Sequence, residues 1–352
     1  MEDTERIHLL DLIKGILIIF IIITHYNWTD EQRQMLLFPY WIDMAVPVFM
    51  IISGYVYALS YKRKEINSLK DAYEFKEITS KLIRYSVPLL MAFVFEVFLY
   101  VISGIKIELS CVLTGGIGPG SFYYPVMIQF VYLYPLIYFA IREYDLKGLC
   151  VCGIVNVVFE IAKTLYGMPT SEYRFMVLRY ILLIATGCYL AIGKQKIRRP
   201  VLIVSMLVGI FWQYAVYYLG YKPVIINEAW ATTSCISALY IIPICVSIFA
   251  SKKMMDARFG LLELIGRASF NIFLTQMVYF IGAKVIYKIV SDIWIANLLN
   301  IVICCLVGTI FYMIESRITR YLLQYLDKKN YFEKQIRAVL KKIGNVFKDS
   351  KA

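Results

Sequence analysis

Two ionisable side chains share one helix face in the first apolar run of the chain. Lys14 and His25 are 11 positions apart, which at about 100° per residue comes to ~1100°, or ~20° past three turns, so both project to one side. At a rise of about 1.5 Å per residue they sit roughly 16 Å apart along the axis. A lysine can hold phosphate or pyrophosphate, and a histidine is the side chain best matched to take and return a proton near neutral pH. A lone helix histidine also serves as a hydrogen-bonded packing residue, and the other histidine, His8, reads as an ordinary interfacial one.

Ionisable groups inside apolar helices are costly and by default mark a function. Asp43, Glu96, Glu160, Arg179, Lys284 and Glu315 join Lys14 and His25 in that position. Arg179, Lys284 and Glu315 fall near expected helix ends, where a long side chain can snorkel to water. Pro47 inside a helix would leave the carbonyl four residues earlier, that of Asp43, without its donor. Ser53-Gly54-Tyr55 permits close backbone approach between helices. The glycine-rich stretch 114–120 lacks the Gly-Lys-Ser/Thr ending of a phosphate loop and reads as a flexible turn on the outer side. Asn27-Trp28-Thr29 matches a glycosylation sequon but abuts the membrane. With no G-x-S-x-G, H-E-x-x-H or G-x-G-x-x-G, soluble-type hydrolase, metalloprotease and dehydrogenase chemistry is unsupported.

The elements that must position these residues follow from composition. The 352 residues are 60% hydrophobic and only 18% charged, where a soluble protein carries about 25% charged residues. Bilayer-length apolar runs recur from Ile7 to Ile314, so the fold class is all-α, a polytopic transmembrane helical bundle. Spans are expected at 9–27, 38–61, 85–105, 122–141, 148–165, 176–193, 200–219, 230–250, 270–290 and 294–314, about ten in all. The net charge of +12 would suit a nucleic-acid partner, but the charges alternate by connection. Lys62, Arg63, Lys64, Lys70, Lys76, Lys81 and Arg84 lie on one side, with Arg142, Lys147, Lys194, Lys196, Arg198, Arg199 and the basic tail. The positive-inside rule makes that side cytoplasmic, together with both termini, and nucleic acid is no longer needed.

Residues 1–315 thus form the membrane domain, with 62–84 as a cytoplasmic interfacial segment. Residues 316–352 form a basic amphipathic tail suited to an anionic inner leaflet. The first run lacks a cleavage site and reads as a retained helix. Most cysteines lie in apolar segments and only Cys111 looks loop-exposed, so neither a disulfide framework nor a metal site is indicated.

The ordered motifs resemble the integral membrane acyltransferase-3 family of bacterial cell-surface O-acyltransferases. Lys14 through Thr24-His25 keeps the spacing of that family's arginine and histidine in the first helix, with lysine for arginine. Val46-Pro47-Val48-Phe49 through Ser53-Gly54-Tyr55 resembles the second-helix run. Lys81-Leu82-Ile83-Arg84 before Pro88 resembles its basic pair, and Ser121-Phe122-Tyr123-Tyr124-Pro125 its aromatic entry to the fourth helix. Gly266-Arg267-Ala268-Ser269-Phe270-Asn271-Ile272-Phe273-Leu274 resembles its closing motif, although Gln276 stands where many members carry histidine and cannot titrate.

The resemblance implies transfer of an acyl group, acetyl in kind, from cytoplasmic acyl-coenzyme A to a hydroxyl of a cell-surface polysaccharide or lipid-linked glycan. It places the protein in the inner (plasma) membrane of a bacterium, among membrane lipid, with glycosyltransferases or polysaccharide-export proteins as partners, and with no metal. His25 would deprotonate the acceptor or relay the acyl group as a transient acyl-imidazole, and Asp43 would orient the imidazole. Lys14, Lys81 and Arg84 would hold the donor's phosphates, and Ser53, Tyr55, Tyr124 and Gln276 would line the substrate path. The alternatives are an exporter of polysaccharide or lipid-linked sugar and a non-catalytic membrane binding module.

Overall fold

In hydrocarbon every backbone N–H and C=O must be satisfied within the protein, so apolar runs without strand partners become helices. The computed structural model describes residues 7–102, 116, 118, 120–225, 234–251, 258–282 and 286–349, with side chains of the last helix described to Lys328. Every regular element among the described residues is helical. The principal helices are α1 (His8–Thr24), α2 (Ala45–Arg63), α3 (Phe75–Ile102) and α4 (Tyr123–Tyr144). They continue as α5 (Leu146–Leu165), α6 (Ile181–Ile192), α7 (Arg199–Tyr217), α8 (Cys235–Ala250), α9 (Gly260–Arg267), α10 (Ser269–Gly282) and α11 (Ile293–Asp349).

Six helices are long and apolar enough to cross a membrane, and a seventh span results if α9 and α10, bent by 69° at their junction, count as one. The expected ten also included α1, α6 and α8, which hold 17, 12 and 16 residues. A straight span of the hydrocarbon core needs about 20. Lys284 and Cys111 lie outside the described residues. The tail is not set off from the last span, because α11 runs without a break from Ile293 to Asp349. Likewise the expected interfacial segment is a short helix at Leu69–Ala72, followed by the start of α3 itself.

Close contacts at glycine join the helices. A Cβ on Gly54 of α2 would collide with the carbonyl of Ile184 in α6, and one on Gly187 of α6 would collide with that of Ile51. The same reciprocal arrangement joins α1 to α9, where Gly15 faces the carbonyl of Leu262 and Gly266 that of Asp11. Tyr134 of α4 donates to the Gly54 carbonyl at 2.9 Å, adding a third helix to the first crossing. Small residues suit these places because lipid tails are as apolar as leucine, so backbone proximity and not hydrophobic exclusion drives association. The outward surfaces carry the apolar excess: Ile203, Leu207 and Phe211 on α7 and Leu298, Val302 and Leu306 on α11 are exposed.

Pro47 sits in the first turn of α2, not in its middle. Its missing N–H is therefore one that a helix start leaves unbonded anyway, and the expected disruption at Asp43 does not arise. The stretch 114–120, expected to be a flexible turn, is described only at Gly116, Gly118 and Gly120. There Gly118 abuts the backbone of Met277, and the left-handed Gly116 (φ 114°) lies against the Glu96 carboxylate. These glycines are wedged against α3 and α10, where no Cβ fits.

Replacing Gly187 by leucine is expected to lower the thermal midpoint of the detergent-purified protein sharply. Overpacking alone costs about 1–3 kcal/mol, and here the obstacle is backbone. Gly260→Ala, where a Cβ meets open space, is expected to leave the midpoint unchanged in the same fluorescence-detected melt.

Candidate functional site

Lys14, two turns into α1, and His25, the cap that follows its last residue, are held by different means. The Gly15–Gly266 crossing presses the Lys14 end of α1 against α9, and the Lys14 ammonium lies 2.8 Å from Asp11 one turn back. His25 caps the C-terminus of α1, its backbone N–H donating to Ile22 at 3.2 Å. Its half-buried ring packs 5.8 Å from that of Phe280 on α10. No described residue hydrogen-bonds either ring nitrogen.

Asp43 does not meet the imidazole it was expected to orient. Its two carboxylate oxygens accept from one guanidinium nitrogen of Arg33, at 2.9 and 3.1 Å. Arg33 also lies over the Phe38 ring at 5.0 Å, and its charge is within electrostatic reach of His25. Asp43 is therefore bound to Arg33 and has no hydrogen bond to His25 among the described residues. The sequence reading missed Arg33 because it falls in the polar helix Asp30–Met35, where a charge needs no explanation. That short helix is fixed by a capping box between Thr29 and Gln32, which gives the would-be sequon a structural role.

A shell of aromatic and amide groups surrounds the same end. Tyr26 donates to the Asn297 carbonyl at 2.6 Å, Tyr287 to the Asn297 side chain at 2.7 Å, and Tyr279 to Asn300 at 2.7 Å. Trp28 stands 6.2 Å from Trp294.

Midway through the bundle, Ser53 lies beside the Tyr123 hydroxyl. Tyr57 donates to Tyr85 at 3.1 Å. Tyr85 and Tyr123 both face Phe270 of α10, at 5.7 and 6.2 Å, and Tyr123 packs 5.1 Å from Phe273. Tyr57, Tyr85, Tyr123 and Phe270, from α2, α3, α4 and α10, stay partly accessible although they face one another, and Phe273 is buried. The sequence signal was present in the spacing of Ser53, Tyr57 and Tyr61, four residues apart on one helix face.

The remaining expected site residues separate. Tyr55 points away from Ser53 and packs at a tilt 4.7 Å from Phe249 of α8. Tyr124 shares a hydrogen bond of 2.9 Å with Ser86. Gln276 is fully buried, facing the Gly120 turn. Lys81 is buried, donates to the Tyr61 hydroxyl at 2.7 Å and lies over the Tyr61 and Tyr57 rings at 4.0 and 4.9 Å. Arg84, one turn on, is exposed.

Other intramembrane charges find protein partners, including Arg179 and Glu315, for which snorkelling was one of the two readings. Arg179 is fully buried over the rings of Tyr173 and Tyr180, at 4.4 and 4.8 Å. Tyr173 in turn donates to Glu160 at 2.6 Å. Glu315 accepts from Asn271 at 3.1 Å. These groups brace helices and stand apart from α1.

A family model described as an acyltransferase domain matches residues 7–314, from the start of α1 into α11. No curated protein and no solved structure matches the chain.

Arg33 and Asp43 are expected to behave as a unit. Asp43→Asn and Arg33→Gln should each lower the thermal midpoint, while the double variant loses little more than either single one. The non-additivity measured in a double-mutant cycle should be on the order of 0.5–3 kcal/mol.

Proposed function

We propose that the chain, which belongs to the acyltransferase-3 family, moves an acyl group, acetyl in kind, from acyl-coenzyme A to a hydroxyl of a cell-surface polysaccharide or lipid-linked glycan. In this reading the basic end of the bundle faces the cytoplasm of a bacterium, by the positive-inside rule, and His25 faces the outside. The observation that carries it is the availability of the His25 ring at the non-basic end of α1. Its nitrogens are without described hydrogen-bond partners, and an aromatic and amide shell stands around it. Lys14 lies on the same helix face toward the basic end.

The chemistry then follows from groups in place. His25 takes the proton of the acceptor hydroxyl as its oxygen attacks the thioester carbonyl. Charge gathers on the carbonyl oxygen, and Arg33, held by Asp43, supplies positive potential at that end of the site. The carbon–sulfur bond breaks, the acyl group stays on the acceptor oxygen, and the imidazolium returns its proton to the departing thiolate. A pantetheine arm entering past Lys14 must cover the roughly 16 Å to His25. The partly accessible rings of Tyr57, Tyr85, Tyr123 and Phe270 offer it an apolar path. Glycosyltransferases or export proteins would deliver the acceptor.

His25→Ala in a strain with no other copy is expected to cut acyl incorporation into envelope glycans at least about 100-fold, the scale of a lost general base, while membrane insertion stays normal. Mass spectrometry of the glycans reads the acetyl increment directly. Undiminished acetylation would overturn the assignment.

A further inference from the structure

Neither ring nitrogen of His25 has a hydrogen-bond partner among the described residues, so packing must set the direction of the imidazole. Rotation about the last side-chain bond of histidine is broad and roughly two-fold, and its two nitrogens are distinct in role. The packing partner is Phe280 of α10. Its ring lies 5.8 Å from that of His25, 6.2 Å from Tyr26 and 5.4 Å from Tyr279, the last two in edge contact.

Tyr26 follows His25 in the chain and Tyr279 precedes Phe280, and each sends its hydroxyl to α11. Tyr26 donates to the Asn297 carbonyl at 2.6 Å and Tyr279 to the Asn300 side chain at 2.7 Å. Residues 297 and 300 are three apart, so they share one helix face. The end of α1 that carries His25 and the end of α10 that carries Phe280 are thus tied to the same turn of α11.

The two anchors are themselves joined. The Asn300 amide donates to the Tyr287 hydroxyl at 3.0 Å, and that hydroxyl donates to the Asn297 side chain at 2.7 Å. From Tyr279 through Asn300 and Tyr287 to Asn297, each donor faces the next acceptor. Asn300 is fully buried and Asn297 is buried. Apolar contacts alone could brace α10 on α11, but a satisfied buried polar network also specifies a single arrangement.

We infer that Tyr26 and Tyr279 are positioning residues for His25, their hydroxyls anchored on Asn297 and Asn300 so that Phe280 holds the imidazole in one orientation, a role that rests on His25 acting as the base in the proposed transfer.

Tyr26→Phe and Tyr279→Phe keep the rings and remove one hydroxyl each. The assay is transfer of radiolabelled acetyl from acetyl-coenzyme A to envelope glycans in permeabilised membrane vesicles, with each variant as the strain's only copy. Both variants are expected to lose roughly 10- to 100-fold in maximal rate, the scale of a misplaced catalytic group, with the KM for acetyl-coenzyme A unchanged. Tyr240→Phe, which loses a hydroxyl bond of 3.1 Å to the Tyr40 carbonyl, should keep the wild-type rate. The ring itself is read by the ¹³Cε1–¹H resonance of His25 in the purified His8→Gln protein, expected as one line that broadens or shifts in both tyrosine variants. An unchanged resonance, whether the rate holds or falls with the thermal midpoint, overturns the positioning role. Wild-type rates in the tyrosine variants beside an inactive His25→Ala overturn that role alone, whereas a wild-type rate in His25→Ala overturns the base reading with it.

Discussion

Two backbone-to-backbone crossings, Gly54 with Gly187 and Gly15 with Gly266, set the positions of the polar groups. In lipid there is no hydrophobic gain from pressing one apolar helix on another, so association relies on close packing and on hydrogen bonds across helices. Glycine allows the first, and the contact in turn fixes rotation about each helix axis. With Gly15 facing α9, the Lys14 side chain beside it has a defined direction. With Gly54 facing α6, Ser53 and Tyr57 turn toward α3 and α4, and Tyr55 turns toward α8. A single side chain inserted at either crossing would rotate or separate the helices that present these groups.

The buried charges divide by what holds them. Arg179, Glu160 and Glu315 are enclosed by rings, hydroxyls and amides, which offsets the cost of removing a charge from water. Lys81 belongs with them through Tyr61. Lys62 and Lys194 instead are exposed and have no ion pair among the described residues, and neither ring nitrogen of His25 has a hydrogen-bond partner among them. Groups whose hydrogen bonds are already spent can position a neighbour but have little left for a ligand. Groups with unspent capacity at a cavity or a partly open wall are the ones able to bind or to exchange protons.

This division gives the protein a polarity along the membrane normal. Unspent cations gather at the basic end, and an unspent imidazole lies at the other, beside an ion pair and a shell of aromatic rims. Between them lie the partly accessible tyrosines of α2, α3 and α4. A long substrate lying across the bilayer would meet each feature in turn.

Much of this was readable in the sequence. Apolar runs located most helices to within a few residues, because helix formation in hydrocarbon is a local requirement. The scarcity of charge singled out Lys14, His25 and the buried acids, and the ordered motifs identified the family. Side-chain partners were not readable. Asp43 and His25 share two neighbouring helix ends in sequence, yet Arg33 takes the carboxylate. Arg179, for which a snorkelling end was one of two readings, is enclosed by tyrosines, and the groove at Lys62, Arg142 and Lys194 joins three distant connections. Periodicity and hydropathy depend on neighbours along the chain, so the sequence by itself determined the helices and the few polar residues they carry. Which of those residues meet depends on how the helices rotate and cross, and only the tertiary structure, through backbone contact at Gly15, Gly54, Gly187 and Gly266, decided that.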